Sequence, residues 1–223
     1  MNFEIPSTLS NYLKELDDFI EKRIKPLEAK NDNIRFFDHR REHSRTDWEN
    51  DGRPSEEWES LLAESRSLAD SAGHYRYAFP KEHGGRDGTN LGMAVIREHL
   101  ASKGLGLHCD LQNEHAIVAN NIALLLMLEY GSDEQKSIWT ETLASGKSFF
   151  AFGITEPNHG SDATHMETLA TRTQDGWLIN GEKTWNSGIH SAPADLIFAR
   201  TSGGAGDAEG ITAFLVPTDT AGF

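Results

Sequence analysis

The residues best equipped for chemistry lie between Phe149 and Gly188. The run Thr155-Glu156-Pro157-Asn158-His159-Gly160-Ser161-Asp162 cannot continue a strand. Pro157 lacks a backbone donor, and Gly160 admits conformations that other residues resist. Such a loop leaves N–H groups and hydroxyls free to face a polar ligand. Downstream, Asp175-Gly176 and Asn180-Gly181 suit hairpin turns with positive φ. They predict three short strands, over residues 168–172, 177–179 and 182–185. The hairpins would return Trp185, Asn186 and Ser187 to Phe152, Gly153, Ile154 and Thr155. The expected result is a flat aromatic wall beside hydroxyl and backbone donors, a surface suited to a planar heteroaromatic ligand.

Other chemistries find less support. Of the ten histidines, His39 and His43 are four apart but have no third ligand in the sequence around them, so no metal site is expected. Ser161 has His159 and His165 nearby, yet no strand-turn-helix elbow surrounds it, which argues against a hydrolase nucleophile. The Gly-rich turn over residues 80–88 reads as structure, and no catalytic residue is assigned.

The elements that must position these residues follow from periodicity. Leu9, Leu13, Leu16, Phe19, Ile20 and Ile24 recur at helical spacing, and Pro26 is expected to end that helix. Residues 30–53 form a charged, solvated connection. A second helix starts after Pro54-Ser55, with Glu56 and Glu57 in its first turn, and Gly73 caps it. A third is predicted over 90–103 and a fourth over 109–130, the latter carrying Leu111, Ile117, Ala119, Ile122, Leu125, Leu126 and Leu128. Ser132 and Gln135 form a capping box for a fifth, ending near Gly146. From Ser148 the period changes to strands and turns. The loop over 202–210 is flexible by composition, and a strand is predicted over 211–216.

Composition narrows the function classes. The chain has 223 residues and 37% hydrophobic content, enough for one large or two small cores. Its formal net charge of −14 argues against non-specific nucleic-acid binding and against an anionic membrane surface. No run approaches the roughly 20 apolar residues of a membrane span. Cys109 is the only cysteine, so no intrachain disulfide can form. The N-terminal residues resemble neither a signal nor a transit peptide, and a cytoplasmic location is expected.

Several ordered words resemble the acyl-CoA dehydrogenase family. They are Ile154-Thr155-Glu156-Pro157, Gly160-Ser161-Asp162, Asn180-Gly181-x-Lys183-x-Trp185, the run Ala194-Asp195-Leu196-Ile197-Phe198-Ala199-Arg200-Thr201, and Gly210 through Pro217. Upstream, Phe79 through Gly85 and Tyr130 through Lys136 are similar to the family's Pro-x-x-x-Gly-Gly turn and Gly-x-x-x-Gln-Lys helix start. The resemblance spans residues 8–223. It implies an α+β chain with an N-terminal all-helical domain, residues 1–147, followed by an incomplete antiparallel β-barrel domain, residues 148–223, that binds FAD.

The resemblance also implies roles. Phe152, Gly153, Ile154 and Thr155 would line the isoalloxazine ring, with the Thr155 hydroxyl on its pyrimidine edge. Trp185 would pack beside the flavin, and Ser187 stands where many members place Thr near N5. Ser161 would meet both the cofactor and the phosphate-bearing part of acyl-CoA. Asn186 replaces a more usual apolar residue, and Asn158-His159 a Gly-small pair. The implied reaction is α,β-dehydrogenation of an acyl-CoA thioester. Its carboxylate base comes, in the family, from a C-terminal helical domain, and no carboxylate of this sequence matches it. Implied partners are an acyl-CoA substrate, a homo-oligomer or a completing second chain, and an electron-transfer flavoprotein. The alternatives are a flavin oxidase or monooxygenase on the same scaffold, or a non-catalytic subunit.

Overall fold

A computed structural model describes residues 4–113 and 120–223. The chain divides into two compact units, Met1–Lys147 and Ser148–Phe223.

In the first unit, helix α1 (Ser7–Phe19) buries Leu9, Tyr12, Leu16 and Phe19. A single π-helical turn, Ile20–Ile24, leads into α2 (Lys25–Ala29). Pro26 was expected to stop the helix; instead it occupies the first turn of α2. The helical path is continuous from Ser7 to Ala29, and the wider π turn just before Pro26 accommodates its missing N–H and the bulk of its ring. The charged connection folds into short 3₁₀ turns and a two-residue hairpin, β1 (Thr46–Asp47) with β2 (Arg53–Pro54). Helix α3 (Glu56–Ser71) opens with the Ser55 hydroxyl accepting from Trp58 N–H, and Gly73 follows its end at φ 75°. Helix α4 (Asn90–Ala101) is capped by Thr89. Phe36, Leu61, Ala69, Ile96, Leu100 and Leu111 close the core around α1.

The expected fourth helix begins later than its apolar pattern suggests. Leu107–Asp110 is a 3₁₀ turn, and Asn113 is drawn off the helical path. Its N–H donates to Tyr75 O at 2.7 Å and its side chain to Leu143 O at 3.1 Å. Ile117 and Ala119 lie outside the described residues, and the described helix α5 is Asn120–Tyr130. Helix α6 (Asp133–Ala144) carries the Ser132–Gln135 capping box.

The second unit is a five-stranded open sheet. Its strands are β3 (Phe150–Gly153), β4 (Leu169–Arg172), β5 (Trp177–Asn180), β6 (Ala194–Arg200) and β7 (Ile211–Pro217). Strand β6 is the hub. β7 pairs antiparallel along its whole length, from Ala194↔Pro217 to Arg200↔Ile211. On its other flank β3 runs parallel over Phe150↔Ala194 to Gly153↔Ile197, and β4 meets its end at Leu169↔Arg200, also parallel. The barrel is therefore unclosed, and its sheet is mixed rather than purely antiparallel. The parallel pairs arise because the chain after β5 travels back before entering β6.

That return replaces the predicted third strand. Gly181 does not turn a hairpin: a Cβ there would sit 2.3 Å from Thr168 Oγ1, so glycine is needed for close approach. Residues 182–185 leave the ladder altogether. The 202–210 loop is also more ordered than its composition suggests. The buried Arg200 guanidinium donates to the carbonyls of Ser202, Asp207 and Glu209, and to Thr164 O.

Candidate functional site

The candidate surface is built where residues 183–187 return to the end of β3. Thr184 N–H donates to Thr155 O at 2.9 Å. Lys183 Nζ donates to Ile154 O at 3.2 Å and to Glu156 Oε1 at 2.8 Å. Glu156 also accepts from the backbone N–H groups of Glu167 at 2.5 Å and Thr168 at 2.9 Å. The pair is deeply buried, with 7% of the Lys183 side chain and 3% of the Glu156 side chain exposed. Burial would raise the Glu156 pKa, but the Glu167 N–H, the Lys183 ammonium and Thr168 overcome it and hold the carboxyl at about 2. Glu156 is thus a spent anion that ties the loop down.

A second tie lies one residue beyond Trp185. Asn186 Nδ2 donates to Asp195 Oδ2 at 2.5 Å, and Asp195 is buried in β6. Burial pushes the Asp195 carboxyl up, while the Asn186 amide and the Gly153 N–H pull it down. A Cβ at Gly153 would stand 2.9 Å from Asn186 Nδ2 and 3.0 Å from Asp195 Oδ2, so glycine is what lets the three groups meet.

Between the two ties stands Trp185, with φ 64° and its side chain facing solvent at 87% exposure. Among the described residues the other non-glycine positions with positive φ are Asn31, Asp32, Asp51 and Asp87, types that tolerate this region. A Trp there costs on the order of 1–3 kcal/mol. Strain and exposure of an indole together make a platform rather than a packing residue.

The expected site residues fall into two groups. Gly153, Ile154, Thr155, Trp185, Asn186 and Ser187 are brought together by the bonds above. Phe152 packs its ring 5.1 Å from Phe198 on the sheet. Ser161 lies exposed on the loop beyond Glu156. The hydroxyls of Thr155, Ser161 and Ser187 make no hydrogen bond among the described residues. Lys183, Thr184 and Asp195 position the surface and were not singled out from sequence for that task. The available signal was an aspartate, Asp195, inside the otherwise apolar run Ala194 to Ala199, which marks buried charge with a partner.

Two other features near the surface do not compete with it. A cleft of about 620 Å³ is lined by Lys183, Asn186 and Asp195 and by apolar Leu178, Phe214 and Val216. It is the uncovered face of the open sheet, and neither Trp185 nor Thr155 lines it. Ligating atoms of Glu156, His159 and Glu167 come within 4.8 Å of one another, but the Glu156 oxygens are already taken. Among the described residues no helix is long and apolar enough to cross a membrane.

Comparison with known proteins agrees with this architecture. The family model for the acyl-CoA dehydrogenase N-terminal domain matches residues 34–147, and that for the middle domain matches residues 151–223. The human mitochondrial short-chain specific acyl-CoA dehydrogenase is 30% identical over 219 residues, 98% of this chain and 46% of that protein. Among solved structures, the Tcur3481-Tcur3483 steroid ACAD covers 100% of the chain and 50% of its own at 27% identity and TM-score 0.66. A glutaryl-CoA dehydrogenase from Mycobacterium smegmatis in complex with FADH2 covers 98% and 47% at 25% identity and TM-score 0.63. The chain spans about half the length of these relatives. With both family models matched in order and a helical unit preceding an unclosed sheet, the chain belongs to the acyl-CoA dehydrogenase family.

Proposed function

We propose that this chain contributes the flavin-contacting surface of an FAD-dependent acyl-CoA dehydrogenase. The observation that carries the reading is Trp185: an exposed indole on a strained backbone, fixed on both sides and flanked by the uncommitted hydroxyls of Thr155 and Ser187. A planar, polar-edged ring fits such a surface, since its face can stack while its rim meets donors. Ile154 and Thr155 cannot turn their carbonyls towards a ligand, because Lys183 and Thr184 already hold them. The Thr155 hydroxyl is a donor that remains. FAD, when bound, supplies a two-electron oxidant for the Cα–Cβ bond of an acyl thioester.

The base that takes the α proton belongs, on this reading, outside the 223 residues. Glu156 and Asp195 are the carboxylates tied into the surface, and both are committed to internal partners. A related second chain fits this need, and one similar structure is named for two components, Tcur3481 and Tcur3483.

The test is an FAD titration of the purified chain, followed by desalting and a visible absorption spectrum. Retained flavin bands are expected, with affinity falling about tenfold in Trp185→Ala as a stacking partner is lost. Equal affinity in wild type and Trp185→Ala would remove the surface from consideration. Absence of retained flavin in both would overturn the claim that these residues hold FAD without a further chain.

A further inference from the structure

We infer that the Asn186–Asp195 hydrogen bond is a positioning clamp that sets the Trp185 platform. The inference rests on the flavin reading for its purpose, but its geometry stands by itself. A bulky aromatic residue returns to ordinary negative φ unless its neighbours are held. On the N-terminal side the hold is backbone to backbone, Thr184 N–H to Thr155 O at 2.9 Å. On the C-terminal side the bond from Ser187 N–H to Trp185 O, also 2.9 Å, is local and turns with the segment. It cannot fix the segment against the sheet. The side chain of Asn186 supplies that fixed point, reaching Asp195 Oδ2 at 2.5 Å in the middle of the unit. Asp195 is 1% exposed and rigidly registered in β6 opposite Ala151 on one side and Val216 on the other.

The chemistry of the pair suits the task. An amide donating to a carboxylate is a charge-assisted bond, stronger and more directional than a neutral one. Gly153 lies directly against both partners, so a displacement of the clamp is felt by the β3 end that forms the other half of the surface. An apolar residue at 186 could fill the space but could not fix the segment's rotation. Asn186 and Asp195 are positioning residues, acting through Trp185 and Gly153.

The test uses the full chain with its tryptophans replaced by 5-fluorotryptophan. The ¹⁹F resonance of Trp185 is assigned by its loss in Trp185→Phe. Asn186→Leu is expected to move or broaden that resonance without flavin, to keep the far-ultraviolet circular dichroism, and to weaken FAD binding about tenfold. Asp195→Asn keeps a neutral amide bond and gives a smaller shift. The exchanged pair Asn186→Asp/Asp195→Asn restores the bond in reverse and returns both readouts towards wild type. If Asn186→Leu does not fold, Asp195→Asn and the exchanged pair still decide. A Trp185 resonance unmoved in the single variants, or a shift that the exchanged pair fails to reverse, overturns the clamp. Should wild type bind no FAD, the flavin reading falls while the resonance alone still judges the clamp.

Discussion

Glu156 illustrates how a residue in a motif can matter without touching chemistry. Its carboxylate is fully ionised in the fold because two backbone amides and Lys183 surround it. Replacing Lys183 by Met leaves that charge buried with one partner fewer, at a cost of about 3–5 kcal/mol. Chemical denaturation of the β unit should report it, and Glu156→Gln in the Lys183→Met background should recover part of the loss. The pH dependence follows from the sign of the shift. The folded pKa of about 2 lies below the ordinary 4.5, so the unfolded chain takes up the proton first. The contribution, roughly 3 kcal/mol, is full above pH 4.5 and drains away as pH falls towards 2. Melts of wild type and Glu156→Gln across that window should converge at the acid end.

At the scale of elements, what the sequence disclosed was local and what it concealed was long-range. Ser55, Ser132 and Gln135 announced their helices because a cap is decided by a few neighbouring residues. Ser132→Ala should cost about 1 kcal/mol of helix α6 stability, measurable by amide hydrogen exchange along α6. The β4–β5 hairpin was equally legible, since Asp175-Gly176 is a strong hairpin-turn dipeptide between two short strand-forming runs. Gly181 was not: its dipeptide matches a hairpin turn, but the glycine serves the close approach of Thr168. Pro26 misled because a single π turn ahead of it lets the helix continue past a missing donor. The parallel partners of β6 left no mark in sequence, since they depend on a return path of more than a dozen residues. The clustering of residues 153–155 with 184–187 was expected from a hairpin at Asn180-Gly181, but the fold reaches it without that hairpin. The agents that achieve it, Lys183 with Glu156 and Asn186 with Asp195, could not be anticipated, because a charge in a short run does not name its partner.

At the scale of the whole chain, the two units should respond differently to acid. In the helical unit His74 is buried between Tyr12 and Phe19, its Nδ1 within 3.2 Å of Tyr12 Oη. Burial depresses its pKa; Glu15 opposes that shift and Arg86 adds to it. A depressed histidine is protonated first in the unfolded chain, so the unit loses stability as pH falls below about 6.5. The β unit keeps its Glu156 contribution until well below that. Acid unfolding should therefore be seen by Trp58 before Trp177, using variants that retain one tryptophan each, and His74→Phe should delay the first transition. Coincident transitions in wild type would show that another group dominates.

Strand β7 has one further consequence. Its seven residues are paired on a single side, to β6, and among the described residues the other side of its backbone meets no strand. Such an edge is a template that does not distinguish a proper partner from another molecule of its own kind. Nothing in Phe214, Leu215 or Val216 guards it, since none carries charge. The guard is collective: a net charge of −14 makes each copy repel the next. Colloidal stability is thus delegated from the strand to the whole surface, and it lapses where that charge is titrated away, near the isoelectric point of about 5.1.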